Sequence, residues 1–538
     1  MLSENIRKSW NSFWLNSNHK ELRPSPLIPQ WDNTSLFTVA WMQQLVPYLS
    51  WKAHKDWKRL FDIQKCIRTP DIDEIWDERH LTMFEMMWNW SLWDYFKKEA
   101  ITWSIEYLTK VCNIPLEKLW ATIYAWDKKL WLKEDLEARK ILNKLWIPDE
   151  RIRPMKENWW GPAGEVGPCG PDCEFYYDRG DKFWLNDWLL DDNDRYTEIW
   201  NNVFMEFYKD KNWKFEKLSQ QNIDTGMGLE RLAMILQNKN TIFETDLFKG
   251  IIKTIEKYTQ LSYLPYIKKE SEFNKKENEV IRRFRIITDH IRASLFLISD
   301  GVIPSNEWKG YVLRRLIRRA FYNMYLLNKN IDYKKFIYSM YEAIENKYWK
   351  FRKNLKNNKT LADIIINEIS KFEKTIQKWL KLLNEELEKI SDDVIDGETC
   401  FKLYDTFGFP FELTKEIWES RSYKVDEDWF KKHMKKAKEL SKKDAKNVFK
   451  RWIDWAAYLQ GISPTQFVGY DKLEEENMKV LKYFEVDNQK IYIFDKTPFY
   501  AEWGGQTGDK WKLILDDGTE IKIKDVQKVA WVYLHFVA

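Results

Sequence analysis

The chain has 538 residues, of which 44% are hydrophobic and 32% charged, and its formal net charge is +4. Length and apolar content suit a large soluble protein of two or three domains. No run approaches the roughly 18 uninterrupted apolar residues of a membrane span. The opening MLSENIRKSWNSF lacks the apolar stretch of a secretory signal, so a cytoplasmic protein with no membrane partner is expected.

Residues 1–250 mix short β-like runs (SLFTVA, EIWNNVFMEFY) with helical stretches and many turns, an α+β pattern. Residues 251–460 carry long helical patterns with charged faces, such as KKFIYSMYEAIENKYWKF. From 461 to 538 the character changes to strands and turns, with a boundary near QGISPTQF. Charge follows this division. Residues 251–460 hold 43 Lys+Arg against 31 Asp+Glu, or +12, leaving −8 for the rest. That asymmetry reads as a catalytic domain beside a polyanion-binding one, or more plainly as solvated helix faces. The five cysteines (Cys66, Cys112, Cys169, Cys173, Cys400) are few and scattered, as in a reducing compartment. Cys169 and Cys173 lie four apart in a Gly/Pro stretch with no second pair nearby, which favours loop packing over a zinc site.

Tryptophan and glycine are out of proportion. The chain has 31 Trp and only 18 Gly, where average usage of roughly 7% would give about 38 glycines. Several Trp sit where a left-handed residue is wanted. Asn212-Trp213 lies between two alternating segments, where Asn-Gly makes a hairpin turn. Trp146 follows a helical pattern and precedes Ile-Pro, the position just past a helix end. An indole on a Cβ is a poor tenant for positive φ. The expectation is that a codon read as glycine has been written as tryptophan, although Trp200 in EIWNNVFM has the setting of an ordinary core aromatic.

The sharpest local signal is NIDTGMGLERLAMIL at 222–236. Gly226 and Gly228 permit close backbone approach just before a helix, Asp224 can hold an ammonium group, and Arg231 can grip a phosphate with its planar fork. Alone, such a turn before an amphipathic helix is more often structural.

Its neighbours resemble one family. QKCIR (64–68) and RHLTMFEMMWNWSLWDYFKKEAI (79–101) come first, then NWWGPAGEVGPCGPDCEFYYD (158–178), EIWNNVFMEF (198–207) and DTGMGLER (224–231). RIITDHIRASLFLISDGVIPSNEWKGYVLRRLIRRA (285–320), FKLYDTFGFPFELT (401–414) and TPFYAEWGGQTGD (497–509) follow. In order and spacing these motifs are similar to those of the alanyl-tRNA synthetase family, class II enzymes, from residue 5 to the end. At Trp31, Trp41, Trp76, Trp88, Trp93, Trp146, Trp308, Trp511 and Trp531 the family pattern has, or commonly has, glycine. Trp90, Trp160 and Trp200 match aromatic positions. Literal indoles at the nine suspect sites are expected to overpack the domains, with Trp88 and Trp93 beside the ATP site.

The resemblance implies a class II antiparallel sheet flanked by helices, then a helical tRNA-recognition domain and the start of a β-barrel. It implies ligation of alanine to tRNA(Ala) through an alanyl-adenylate, with ATP and its Mg²⁺. Arg68 corresponds to the arginine bridging carboxylate and α-phosphate, Phe84 to the aromatic under adenine, and Arg231 to the γ-phosphate arginine; Asp71 and His80 are further contacts. His80 could equally be a hydrogen-bonded structural histidine. For alanine, Asp224 binds the ammonium while Trp160, Asn201, Val203 and Gly226 shape a small pocket. An apolar pocket rejects serine and glycine poorly. Arg314, Arg315, Arg318 and Arg319 are expected to form one cationic stripe along the acceptor stem, with Asn306 and Asp405 reading its G·U pair. Asp405 could otherwise cap a turn.

The family's editing domain has four zinc ligands. Here His535 has no partner four residues away and no cysteine follows Cys400, so no zinc set can be assembled and the chain reads as stopping inside the editing region. Trp503 also replaces a small residue there. Two readings stay open: an active alanine–tRNA ligase with glycine at the suspect positions, or a tRNA-binding remnant without chemistry.

Overall fold

Period-two alternation organises the front of the chain into one large sheet. Its strands are β1 (Lys20–Glu21), β2 (Arg59–Ile67), β3 (Met83–Leu92), β4 (Leu119–Tyr124), β5 (Ile152–Met155), β6 (Trp159–Trp160), β7 (Gly167–Asp178), β8 (Tyr196–Lys209) and β9 (Phe215–Gly228). Their order is β1-β2-β3-β9-β8-β7-β4-β5, with β6 paired to β7. The run from β2 to β4 is antiparallel throughout; the outermost pairs, β1 with β2 and β4 with β5, are parallel. The antiparallel sheet is therefore present, with parallel edges added. The computed structural model describes residues 1–29, 36–40, 57–126, 133–162, 166–183, 195–211, 214–263, 275–306, 308–348, 358–387, 478–486, 489–499, 511–514, 520–529 and 532–537, with isolated residues or short pieces within 45–49, 355, 394–433 and 462–468.

One face of the sheet is covered by helices. In α1 (Ser3–Asn16) the buried positions Ile6, Trp10 and Trp14 recur every four residues. Trp10 meets Trp200 of β8 at 5.3 Å, and Tyr107 meets Trp200 at 5.9 Å. Trp200 is thus a core aromatic. Next come α2 (Lys97–Glu106), α3 (Leu136–Lys144), α4 (Leu229–Leu236), α5 (Lys249–Thr259), α6 (Lys275–Ser299), α7 (Trp308–Leu327), α8 (Tyr333–Tyr348) and α9 (Thr360–Leu387). A buried ionic chain ties four of these elements together. Arg7 Nε of α1 donates to Glu85 of β3 at 2.9 Å, and the Glu85 amide donates to Glu230 of α4 at 3.1 Å. Arg292 Nη2 of α6 completes it, donating to Glu230 at 2.8 Å. Removing one member would leave its neighbour charged and unpaired, which typically costs about 3–5 kcal/mol.

The chain divides into two compact units, Met1–Lys378 and Trp379–Ala538. The helices through Lys378 share the first unit with the sheet, and the expected boundary near 460 lies outside the described residues. The second unit contains an antiparallel sheet in the order Val480–Val486, Gln489–Phe494, Val532–Val537, Glu520–Val529, Trp511–Ile514. Its two edge strands are not paired to each other among the described residues, so what is described is a sheet, without the expected barrel closure. Ile491, Ile493, Leu534 and Phe536 pack on this sheet. His535 is buried in it, its Nε2 2.7 Å from Thr497 Oγ1.

Two expectations need correction. Cys169 and Cys173 are not in a loop: both are buried in β7, where burial pushes each thiol up, Cys169 to about 12. Nor is overpacking what distinguishes three of the suspect tryptophans. Among the described residues seven non-glycines have positive φ, and three are Trp93 (57°), Trp146 (68°) and Trp308 (50°). All three point to solvent, 62%, 81% and 75% exposed, so the misfit lies in the backbone and not in crowding. Trp146 is the clearest. Its N–H donates to the Asn143 carbonyl at 3.2 Å and the next N–H, of Ile147, to Leu142 at 3.1 Å. That is the Schellman closure of α3, whose left-handed position normally holds glycine. Trp76 does not have positive φ, and Trp88 lies in the extended strand β3. Trp31, Trp41, Trp213, Trp503 and Trp531 lie outside the described residues, as does the side chain of Trp511.

Candidate active site

Opposite α1, the exposed face of the sheet holds a cavity of about 300 Å³. Strand register builds it in rows. Across β3, β9, β8 and β7, Trp90 pairs with Asp224, Asp224 with Val203, and Val203 with Asp172. The next row is Trp88, Gly226, Asn201 and Glu174. Gly226 lies under crowded neighbours: a Cβ there would come within 3.1 Å of Met86 Sδ and 3.3 Å of the Trp88 ring. Trp88 is 5.9 Å from Trp90, their rings 7° from parallel, and its indole forms part of the cavity wall. Trp93, expected there too, is outside the lining.

All ten residues that the resemblance assigned to ATP and alanine line this one cavity: Arg68, Asp71, His80, Phe84, Trp160, Asn201, Val203, Asp224, Gly226 and Arg231. They come from β3, β6, β8, β9, the start of α4 and the connection between β2 and β3. At one end the Arg68 guanidinium lies 5.0 Å from the centre of the Phe84 ring, a cation on an aromatic face. Burial pushes the Asp71 carboxyl up despite the nearby Arg68, His80 and Arg231. His80 Nδ1 is hydrogen-bonded to Asp77 Oδ2, and the His80 backbone N–H donates to Asp77 Oδ1 at 2.7 Å. His80 therefore has a structural bond and a place in the cavity at once. Arg231 Nη1 donates to Glu198 Oε2 at 2.8 Å.

Asp224 is the chemical anomaly. It is 1% exposed, and among the described residues no cation pairs with its carboxylate. Burial pushes its carboxyl up to about 7, against a pull from the Trp90 indole. Asn201 Nδ2 donates to Glu174 Oε1 at 3.0 Å, leaving its own Oδ1 as a buried acceptor without a partner. A buried carboxylate and a buried amide oxygen facing a cavity are a site for a small cation with N–H donors.

Three carboxylates escaped the sequence reading. Asp172, Glu174 and Glu198 cluster beside Asn201, and burial raises Asp172 to about 7 and Glu174 well above its usual range. Glu174 and Asp172 alternate with Cys173, so a strand assignment would have exposed them. Glu198 had no such signal. A bulge at Ile199 puts Glu198 opposite Tyr176 while Trp200 stays opposite Phe175, which turns Glu198 onto the cavity face beside Asn201.

The expected cationic stripe is only partly at the surface. Arg318 and Arg319 are buried, 8% and 3% exposed. Arg318 Nε donates to Glu368 at 2.8 Å, and Arg319 Nη1 donates to the Ile72 carbonyl at 2.5 Å. Arg315 pairs with Asp73 at 2.7 Å. Arg314 pairs with Glu368 at 3.1 Å and donates to Asn306, which is exposed ahead of α7. Asp405 lies outside the described residues. No helix among the described residues is long and apolar enough to cross a membrane.

Comparison with known proteins agrees with this geometry. The family of tRNA synthetases class II (A) matches residues 5–538. The alanine–tRNA ligase of Caldicellulosiruptor saccharolyticus is 39% identical over 98% of this chain and 59% of its own length. That of Fusobacterium nucleatum is 39% identical over 100% and 61%, and that of Thermotoga maritima 39% over 96% and 59%. The chain thus spans about 60% of the length of the curated relatives it matches. With a family match over nearly its whole length and a cavity built from that family's motifs, the chain belongs to the tRNA synthetases class II (A) family.

Proposed function

We propose that this chain activates alanine with ATP and transfers it to the acceptor end of tRNA(Ala). The observation that carries the reading is Asp224, a buried carboxylate that no cation pairs with among the described residues, in the same cavity as Arg68, Phe84 and Arg231. An α-ammonium would satisfy Asp224 and could donate to Asn201 Oδ1, with Val203 beside them leaving room for a small side chain. Adenine would stack on Phe84. Arg68 would hold the α-phosphate and the amino acid's carboxylate together, and Arg231 the γ-phosphate. The carboxylate then attacks the α-phosphate, expelling pyrophosphate, and the tRNA ribose hydroxyl takes the alanyl group. Neither step needs a protein nucleophile; positioning and charge neutralisation suffice. Mg²⁺ enters on the polyphosphate as part of the nucleotide substrate. Asn306 and Arg314 at the head of α7, with Asp405, are the residues for the acceptor stem.

The test is ATP–pyrophosphate exchange across the natural amino acids. Alanine should drive it best, with leakage to serine and glycine, since a small pocket excludes neither strongly. A chain that binds acceptor-stem RNA but shows no alanine-dependent exchange would instead be a tRNA-binding remnant.

Asp224 also sets a pH dependence. Its carboxyl titrates near 7 in the free protein, and only the ionised form pairs with an ammonium. The KM for alanine should be flat from pH 7 to 8 and rise about tenfold per unit below 7, where protons compete with the ammonium for the carboxylate. A KM independent of pH between 5.5 and 8 would remove Asp224 from ammonium binding.

A further inference from the structure

The connection from Arg68 to Thr82 carries Asp71 and His80 into the cavity, yet its only regular element is a single helical turn, Pro70–Glu74. Its backbone is held from outside. Arg285 Nη1 of α6 donates to the Trp76 carbonyl at 2.5 Å, and Arg319 Nη1 of α7 to the Ile72 carbonyl at 2.5 Å. The Thr82 amide donates to Asp289 Oδ1 of α6 at 2.9 Å. Arg319 Nη1 also stands 3.0 Å from His290 Nε2, and His290 Nδ1 stands 2.8 Å from Asp289 Oδ2.

The protons in this array can be assigned. A guanidinium only donates, so His290 Nε2 must accept from Arg319; the imidazole is then neutral and its Nδ1–H donates to Asp289. Burial and the Arg319 charge both press His290 toward the neutral form. An unbroken series of bonds thus runs from the Ile72 carbonyl through Arg319, His290 and Asp289 to the Thr82 amide, one end of the connection to the other. Arg319, His290 and Asp289 are at most 3% exposed. Burying a guanidinium is costly, and an apolar side chain of similar bulk would pack the helices as well. What the array adds is a fixed place for the connection.

We propose that Arg319 is a positioning residue for nucleotide binding, acting through Ile72 and the His290–Asp289 pair to hold Asp71 and His80 at the ATP end of the cavity. The proposal rests on the ATP assignment made above and not on the identity of the amino acid. It gives Arg319 a task in place of phosphate tracking.

Arg319→Met and Arg319→Lys are compared with the unaltered chain by calorimetry of Mg·ATP binding, exchange kinetics and thermal melting. Arg319→Met should raise the Kd and KM for ATP at least tenfold and leave the KM for alanine within twofold. Arg319→Lys keeps one donor for Ile72 and should recover part of the ATP affinity at a melting temperature no higher than that of Arg319→Met. Equal losses for ATP and alanine, or ATP affinity that follows only the melting temperature across the variants, would overturn the proposal. Should Arg319→Met fail to fold, His290→Leu provides the second reading: it removes both the N–H given to Asp289 and the acceptor for Arg319, and unchanged ATP affinity in it would overturn the array. ATP binding without alanine-dependent exchange in the unaltered chain would defeat the alanine reading alone. No ATP binding at all would defeat both.

Discussion

Asp224→Asn is expected to lower alanine-dependent exchange by roughly 10²–10³-fold, the scale of about 3–5 kcal/mol for stripping one charge from a buried pair. ATP binding should survive, because Phe84, Arg68 and Arg231 lie along other parts of the cavity. The fold should survive too, and the direction can be worked out. Asp224 titrates near 7 in the folded protein against an ordinary value of 3.8. A raised carboxyl binds its proton more tightly when folded, so its ionisation erodes stability progressively from about pH 4 up to about pH 7, and the whole cost is present above 7. Asparagine has no such cost. The variant should therefore melt at or above the parent at pH 8, and the difference should shrink toward pH 4. An inactive variant that melts well below the parent at pH 8 would point to a structural role and against ammonium binding.

Glycine at Trp93, Trp146 and Trp308 together is expected to stabilise the protein by about 3 kcal/mol, about 1 kcal/mol for each left-handed residue relieved of its Cβ. The indoles lost are mostly exposed, so little burial is forfeited. Trp146→Gly should account for at least a third of the gain, since it sits in the helix-closing motif of α3. Trp76→Gly is the control: Trp76 lacks positive φ and its indole donates to Glu74 at 3.2 Å, so glycine there should gain nothing. Denaturant unfolding of the two proteins decides the matter, and a triple variant no more stable than the parent would end the recoding idea as a structural argument. At the level of the gene, Trp93, Trp146 and Trp308 should share a codon that Trp90, Trp160 and Trp200 do not use. Mass spectrometry of the natural protein should find glycine at the first three.

These two cases also show why some features were legible and others were not. The left-handed position at Trp146 was readable because a helix end is a local event, announced by a helical pattern and the Ile-Pro that follows. The crowding expected at Trp93, Trp146 and Trp308 was misjudged because crowding depends on neighbours remote in sequence. Trp93 turned out to face solvent, and Trp88 found a stacking partner in Trp90.

By itself, the sequence determined the class II α+β architecture and the ten residues that meet in the cavity, because long ordered motifs bring their residues to fixed strands and turns. It also raised the expectation that tryptophan stands at glycine positions, which the positive φ of Trp93, Trp146 and Trp308 supports. Only the tertiary structure decided which charges are spent internally. Arg318 finds Glu368 fifty residues on, and Arg319 finds Ile72 and His290, so a stripe that looks continuous along α7 is half consumed by packing. The same holds for Glu198, brought to the cavity by a bulge whose cause is the register between β7 and β8. Helical and strand periods are properties of neighbouring residues; desolvation and ion pairing depend on where distant segments come to rest, and a buried charge is settled only when its partner arrives.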